Sequence, residues 1–434
     1  MISDASRLTR RVAGGVLGLL LAWAAPAAAA GDQPRSVDPQ LADLLSEALA
    51  NNPELAAVRS ERDAARQRIA PAGSLDDPML EFGVVNAALD PLSISREDMT
   101  MKMLGLSQKL PFPGKRDLRR AVATADADSM ELAVLEASNR LVRDVRVASE
   151  ELAFNAESQR IVARTQVALE QLVAIARSRY GVGRAAQNDV LDAQTELERL
   201  RVAQLQLRRE NTALQSELRR LLGRTGTPEL IDVAARHLAA SPDLAGDRDA
   251  LAIRNRPQLL ALQALVDRNA RSVDLARREY YPDFDLRLQY GRRGRAPDGT
   301  PRDDMVSLTV GLNLPIWRKS RLAPQLAEAR AMSSRAQSML TAQQLQTQAA
   351  LDEQWAIATQ SRQSAELHQS TLLPQARAAI ISALASYRVG SVDFLTLRQA
   401  QLREFELATE LAEAIADHNK AVAEIDVLVG RSVP

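Results

Sequence analysis

The 434-residue sequence contains no cysteine. Disulfide bonds, zinc–thiolate sites and thiol nucleophiles are therefore excluded, and so is anchoring through a lipidated N-terminal cysteine. Histidine is nearly as scarce, because only His237, His368 and His418 occur, in separate stretches that predict no metal site. Walker loops and nucleophile elbows are also missing, so the sequence predicts no enzyme activity and no cofactor.

Aromatic residues and net charge are both low. Aromatic residues make up 3% of the chain, and 55 basic side chains balance 55 acidic ones. Because the net charge is zero, there is no electrostatic reason to expect binding to nucleic acid or to an anionic membrane surface. The composition, dominated by alanine, leucine, glutamine, arginine and glutamate, is typical of a helix-rich protein.

Long apolar runs are absent after residue 30, so the sequence predicts no transmembrane helix. Within residues 1–30, three basic residues (Arg7, Arg10 and Arg11) precede an apolar run over residues 12–21. Three alanines at residues 28–30 then offer a small-residue cleavage site. Residues 1–30 are therefore predicted to be a secretory signal peptide, with an uncleaved membrane anchor as the alternative.

The sequence does contain an internal repeat. Segments of the first half recur in the second at an offset of 204 to 207 residues: 52–55 with 256–259, 110–111 with 314–315, and 180–183 with 387–390. Such internal similarity predicts two copies of one structural unit. We assign the first repeat to residues 31–223, a linker to 224–246 and the second repeat to 247–434.

Each repeat contains two segments in which apolar and polar residues alternate, the pattern of a β-strand. These predicted strands cover approximately residues 79–86, 101–109, 284–290 and 305–313. Alternation over about 8–9 residues fits a transmembrane strand with one face toward lipid and the other toward a lumen. It fits equally well a soluble antiparallel sheet with one wet face, so both interpretations stay open.

Very long helices follow the strands. Residues 115–179 contain neither proline nor glycine and predict a helix of about 100 Å, at about 1.5 Å per residue. The matching stretch, 319–386, carries Pro374, where we expect a kink. Return helices are predicted at 189–222 and 393–429. In the first of them, apolar residues step by three and four as in a coiled coil, and Gln204 and Asn211 at seam positions are expected to set the register.

The number of strands limits the architecture. Four strands cannot close a membrane barrel, which needs about eight. An open sheet edge in lipid is unstable, so membrane strands would require several copies of the chain. Three copies would supply twelve strands and a closed tube of long helices. A periplasmic coiled-coil scaffold with a soluble sheet is the alternative from a different class.

The double repeat, the two Tyr-x-Val-Gly turns and the Val-Leu-Asp-Ala-Gln run at 190–194 resemble the TolC-type outer-membrane factors. The resemblance covers essentially the whole mature chain. It implies a mainly α fold with a small β part, in which a homotrimer forms an α-helical barrel and a 12-stranded transmembrane β-barrel. The protein would lie in the outer membrane and extend into the periplasm.

The resemblance also implies a function and partners. Members act as exit ducts of tripartite efflux pumps or type I secretion systems, together with a periplasmic adaptor and an inner-membrane pump. The sequence of residues 110–116, with 101–108 before it, is most similar to members that serve heavy-metal RND pumps. Drug efflux and protein secretion remain the alternatives.

Three groups of residues receive expected roles from the resemblance. The channel gate is assigned to Asp189, Asp192 and Asp393, with Arg184 and Arg388 as locking partners. The adaptor-docking tips are assigned to Tyr180, Val182, Gly183, Tyr387, Val389, Gly390 and Ser391. The strand-to-helix hinges are assigned to Pro111, Pro113, Gly114 and Pro315. The alternatives are plain helix-terminal charges for the aspartates and purely structural turns for the tips.

The second repeat departs from the gate pattern, because Thr396 and Gln399 occupy the places that correspond to Asp189 and Asp192. The exact chemistry of the gate is therefore open at this point.

Two further features lie near the predicted strands. Met99, Met101 and Met103 share one strand face, with Met79 nearby, and thioethers are ligands for Cu(I) and Ag(I). Flexible filling of gaps is the interpretation that we favour for them. The basic loop at 292–295 would contact lipopolysaccharide phosphates or simply face solvent.

Overall fold

The computed structural model describes residues 39–89, 92–93, 99–226, 230–233, 236–240, 248–296 and 298–431. The predicted signal peptide at residues 1–30 lies outside the described residues, as does much of the predicted linker.

The two halves of the chain share the order of two helices, two long strands, a long helical stretch and a return helix; the first half adds a short strand pair, and the long stretch of the second half is divided. The first half contains α1 (Pro39–Asn51), α2 (Pro53–Ala72), β1 (Met79–Val85), β2 (Ala88–Leu89), β3 (Leu92–Ser93), β4 (Met101–Leu110), α3 (Lys115–Gly181) and α4 (Gln187–Leu222). The second half contains α5 (Arg248–Asn255), α6 (Pro257–Arg278), β5 (Asp283–Arg293), β6 (Met305–Asn313), α7 (Ala323–Leu367), α8 (Leu373–Val389) and α9 (Phe394–Leu428).

The four long strands form one antiparallel sheet in the order β1-β4-β5-β6. Its central pair, β4 and β5, joins the two repeats, with Leu106 opposite Leu288. Within the described residues, the outer strands β1 and β6 each have a single neighbour. The segment between β1 and β4 contains the short β2–β3 pair. Two-residue strands are too short to give a sequence period, so the pattern did not reveal them.

The sheet exposes its apolar face. Even-numbered strand residues share this face, and Phe82, Val306 and Leu308 on it are 77%, 70% and 67% exposed. The opposite face carries polar residues such as Glu81 and Gln289, and its positions are on the whole less exposed. In soluble sheets the apolar face is instead the covered one.

Helix α3 runs without a break for 67 residues, or about 100 Å at about 1.5 Å per residue. Near Pro374, the position of the expected kink, a π-helical turn, His368–Leu372, immediately precedes α8. A second π-helical turn, Arg318–Leu322, precedes Pro324 in the same way. Proline lacks the N–H that a regular turn requires, and the wider turn accommodates it. None of the described helices is both long enough and apolar enough to cross a membrane.

Asn211 meets an asparagine of the neighbouring helix, as expected for a polar residue in a coiled-coil seam. Its Nδ2 donates to Oδ1 of Asn155 on α3, at 3.4 Å. Asn155 in turn donates to the carbonyl oxygen of Leu207, at 3.1 Å. These bonds hold α3 and α4 in one antiparallel register.

The described parts of the linker pack against helices. Gln215 exchanges two hydrogen bonds with the backbone of Ile231, at 2.8 and 3.0 Å. Asn419 on α9 accepts from Ala239 N at 2.8 Å and donates to the carbonyl of His237 at 3.0 Å. These segments are therefore fixed by buried amide side chains.

Candidate functional site

The first strand-to-helix hinge is built around a buried lysine. Nζ of Lys115 donates to Asp283 Oδ1 (2.8 Å), Glu279 Oε2 (3.0 Å) and the carbonyl oxygen of Tyr281 (2.9 Å). Its side chain is only 2% exposed. The backbone N–H of Phe112 donates to the same Asp283 oxygen, at 2.8 Å. The hinge of the first repeat is thus tied to the start of β5 in the second.

An aromatic stack reinforces this junction. The centroid of the Phe112 ring lies 4.7 Å from the centroid of the Tyr281 ring and 6.5 Å from that of the Phe284 ring. The Arg278 guanidinium covers the edge of the stack, 5.6 Å from the Tyr281 ring. Such contacts combine ring burial with cation–π attraction.

The predicted hinge residues Pro111, Pro113 and Gly114 all lie between β4 and α3, and Gly114 has φ 87°. The second hinge, around Pro315, is arranged differently. Ile316 and Trp317 beside it are 70% and 67% exposed. Lys319, the repeat counterpart of Lys115, is exposed and pairs with none of the described residues.

The two predicted tips have the same backbone hydrogen bonds. Gly183 N donates to Tyr180 O at 2.9 Å, and Gly390 N donates to Tyr387 O at 3.1 Å. Both glycines have positive φ (70° and 81°), which non-glycine residues rarely adopt. The residue before each glycine projects outward, since Val182 is 69% exposed and Val389 is 81% exposed.

Tyr387 differs from the other predicted docking residues because its ring is 3% exposed. The ring packs edge-on against Phe394, with 5.8 Å between centroids, and the Arg179 guanidinium lies 4.4 Å above it. Arg179 also donates to the Tyr387 carbonyl. Burial raises the pKa of the Tyr387 phenol. The ring therefore joins the two tips, whereas Tyr180, at 48% exposure, remains on the surface.

Among the predicted gate residues, Asp192 has a partner that the sequence did not indicate. Its Oδ2 lies 3.5 Å from Nη1 of Arg398 on α9, and Asn188 Nδ2 lies 3.4 Å from the same oxygen. The proposed partners Arg184 and Arg388 are exposed, and no described side chain pairs with them. The ion pair therefore connects the two return helices through a different arginine.

The remaining gate aspartates have distinct surroundings. Asp189 lies one turn before Asp192 on α4 and is half-buried. Asp393 is the N-cap of α9, where its Oδ1 accepts from Thr396 Oγ1 (2.6 Å) and Thr396 N (2.9 Å). These bonds from Thr396 lower the pKa of Asp393. The contacts observed for Asp393 are those of a helix cap.

Within the described residues, no group of three His, Cys, Asp or Glu side chains is arranged to hold a metal ion. His368 contacts Glu410 Oε2 at 2.9 Å. His418 is fully buried between the carbonyls of Ala358 (2.8 Å) and Ala239 (3.0 Å). Both imidazoles therefore make structural contacts.

Known proteins share this architecture. The outer membrane efflux protein family model matches residues 44–224 and 250–431. The cobalt-zinc-cadmium resistance protein CzcC of Cupriavidus metallidurans is 26% identical over 270 residues, and the match covers 59% of each protein. The chain thus spans about three-fifths of that relative's length.

Solved structures of outer-membrane proteins match over most of the chain. VceC of Vibrio cholerae has 18% identity and a TM-score of 0.77, with 91% of this chain and 97% of that chain covered. CusC has 16% identity and a TM-score of 0.77, with 91% and 93% covered. The open state of MtrE of Neisseria gonorrhoeae has 15% identity and a TM-score of 0.75, with 91% and 90% covered.

Identities this low establish a shared fold, and the family match adds the class of protein. The resemblance to TolC-type outer-membrane factors is confirmed. The chain belongs to the outer membrane efflux protein family.

Proposed function

We propose that the protein is the outer-membrane exit duct of a tripartite efflux system that exports heavy-metal cations. It would act as a homotrimer with a periplasmic adaptor and an inner-membrane RND pump. The observation that carries this proposal is the exposed apolar face of the four-stranded sheet. Val310 and Leu312 extend that face, at 61% and 55% exposure. A contiguous apolar face is stable when lipid covers it, and it favours a membrane strand over a soluble scaffold.

The unpaired edges of the sheet support assembly into a ring. An edge strand exposed to lipid leaves backbone polar groups unbonded, so β1 and β6 need partners. The internal repeat predicts which ones. Gln108 of β4 lies opposite Leu286 of β5. In the other repeat, Gln108 corresponds to Leu312 and Leu286 corresponds to Phe82. The same pairing between subunits would place Leu312 opposite Phe82 of the partner subunit, and three copies would then close a barrel of twelve strands.

The same shift explains the exposed second hinge. Lys115 binds the Tyr281 carbonyl, and the corresponding pair is Lys319 with Asp77 of the partner subunit. Asp77 is exposed, and no described residue pairs with it. Opposite charges would therefore meet at the second hinge, while Leu75 and Met79 of the partner subunit take the places of Glu279 and Asp283. We propose that assembly buries the second hinge as folding buries the first.

The gate and the tips fit the same duct. Three copies of Asp189 and Asp192 around an axis would line the periplasmic mouth with carboxylates, which favours passage of cations. The Asp192–Arg398 pair would hold the return helices together in a closed state. Exposed Val182 and Val389, on tight turns, offer the adaptor a surface at each tip.

Heavy-metal cargo is proposed from the similarity to CzcC, which is named for cobalt, zinc and cadmium resistance. The test is a deletion strain complemented with the wild-type gene and plated on cobalt, zinc, cadmium, copper and silver salts and on drugs. We expect deletion to lower metal tolerance and complementation to restore it. Unchanged metal tolerance with raised drug sensitivity would instead identify a drug duct.

Fractionation separates the duct from the scaffold. We expect a heat-modifiable trimer in detergent extracts of the outer membrane. A water-soluble periplasmic monomer would contradict the proposal, because no exit duct could then form.

A further inference from the structure

Four methionines lie on the polar face of the sheet. Odd-numbered residues of all four strands share this face, which carries Met79, Met101 and Met103 and, as only the pairing of strands reveals, Met305. The chain has nine methionines in all, so this one face carries nearly half of them. Most of the other residues on it are polar, such as Glu81, Arg287, Gln289, Ser307 and Thr309, and Val85, opposite Met101, is apolar.

Three of these methionines surround one glycine. Met103 of β4 and Met305 of β6 lie opposite Gly291 of β5, one from each side. Met101 begins β4, and its Sδ lies 2.5 Å from the point that a Cβ on Gly291 would occupy. Strands are about 4.8 Å apart, so a methionine on either neighbour can turn its sulfur over the glycine. The Met101 side chain occupies the space that the missing side chain leaves, and Met103 and Met305 flank it in the register.

Gap filling explains this cluster poorly. Methionine fills irregular spaces in apolar cores, where it is shielded from water. Here Met305 is 43% exposed, and Met101 and Met103 are partly exposed on a face whose other side chains, apart from Val85, are polar. Apolar side chains at such positions gain little from burial. A role for their sulfur atoms accounts for the residue type and for its concentration at one point.

We propose that Met101, Met103 and Met305 form a binding site for a soft monovalent cation, Cu(I) or Ag(I). Thioethers select these ions, whereas Zn²⁺ and Co²⁺ prefer imidazole, thiolate or carboxylate. Three neutral ligands hold a cation without a fixed counter-charge, so it can leave again, as conduction requires. The inference rests on the proposed function, in which this face lines the lumen, and it names Cu(I) or Ag(I), rather than the metals in the name of CzcC, as the ions that this face would bind.

The cluster lies at the end of the sheet away from the long helices, because β4 and β6 begin at Met101 and Met305 and end at the hinges. The nearest charged side chain in the register is Arg293, opposite Met101. Its Nε donates to the Asp303 carbonyl at 2.8 Å, and its backbone N–H donates to Asp304 at 3.1 Å. Arg293 is therefore held by the loop, through the Asp303 carbonyl and the Asp304 carboxylate.

The test is an Ag(I) titration of the full-length protein in detergent, with the methionine methyl groups labelled with ¹³C and followed by NMR. We expect Ag(I) to shift the signals of Met101, Met103 and Met305, and Zn²⁺ to leave them in place. The double variant M103L/M305L should bind Ag(I) at least about tenfold more weakly. The matched control M332L/M339L removes two methionines of α7 that are 44% and 40% exposed, and should bind as the wild type does.

Undiminished Ag(I) binding by M103L/M305L would overturn the inference, as would equal shifts of the α7 methionines. Channel conductance measured on the same samples separates the two proposals. A conducting wild-type protein that does not bind Ag(I) would contradict the metal site and support the exit duct. A wild-type protein that binds Ag(I) and forms no channel would contradict the exit duct but not the metal site.

Discussion

Lys115 fixes the geometry of the first hinge. A buried ammonium without acceptors would be costly, and here three oxygens of the other repeat surround it. The carboxylates of Asp283 and Glu279 are about one-third exposed, so water screens part of the attraction. The ion pair nevertheless fixes how strand β4 turns into helix α3.

Replacing this lysine should destabilise the protein strongly. K115M leaves the two carboxylates without their buried cation, and we expect a loss of about 2 kcal/mol or more. The control K109M removes an exposed lysine of β4, and its effect should stay within about 0.5 kcal/mol. Urea-induced unfolding of the purified protein, followed by circular dichroism, measures both. Equal stability of the two variants would show that the buried pair does not support the hinge.

The sequence could not predict which residues of the two repeats contact each other. Prolines 111 and 113 with Gly114 identified the hinge, because their effects on the backbone are local. The partners of Lys115 lie 164 to 168 residues away and belong to the other repeat. Arg398 escaped notice for a related reason, since its counterpart in the first repeat is Leu191. The family resemblance pointed to Arg184 and Arg388 instead.

At the scale of elements, the strands and long helices could be predicted because their patterns are local. Observed strand ends differ from the predicted ones by at most three residues, as at Arg293. The exposure of the apolar face could not be predicted, because alternation alone does not say which face a neighbour covers. The position of Met305 beside Gly291 required the register, which the sequence does not specify.

Helix α9 begins at a cap whose strength depends on pH. D393A removes the acceptor for Thr396 and should raise hydrogen exchange at the start of α9, for a local cost of about 1 kcal/mol. D393N keeps an acceptor and should exchange nearly as slowly as the wild type. Hydrogen exchange followed by mass spectrometry measures both, and equal protection in D393A would contradict the assignment.

The pH dependence follows from the lowered pKa of Asp393. A carboxylate with a lowered pKa in the folded state stabilises the fold above its ordinary pKa, and this stabilisation is lost as pH falls through the lowered value. The wild-type protein should therefore lose protection at the start of α9 below about pH 4, and D393N should not.

For the whole molecule, the repeat predicts a particular contact between subunits. The chain lacks cysteine, so engineered pairs give an unambiguous result. F82C/L312C joins residues expected to lie opposite each other across the subunit boundary, within reach of a disulfide. Oxidation should produce covalent trimers on denaturing gels. The control F82C/V306C moves one cysteine six residues along β6 and should remain monomeric. Equal crosslinking in both would refute the register.

We propose a channel whose periplasmic end is held closed by Asp192 and Arg398. Single-channel conductance of the purified protein in planar bilayers tests this proposal most directly. We expect discrete steps from the wild type and larger steps from R398A and D189A/D192A, because both changes remove the tie between α4 and α9. The control R403A removes an exposed ion pair within α9 and should conduct as the wild type does. A wild-type protein that forms no conducting steps, or variants whose steps equal those of the wild type, would contradict this account.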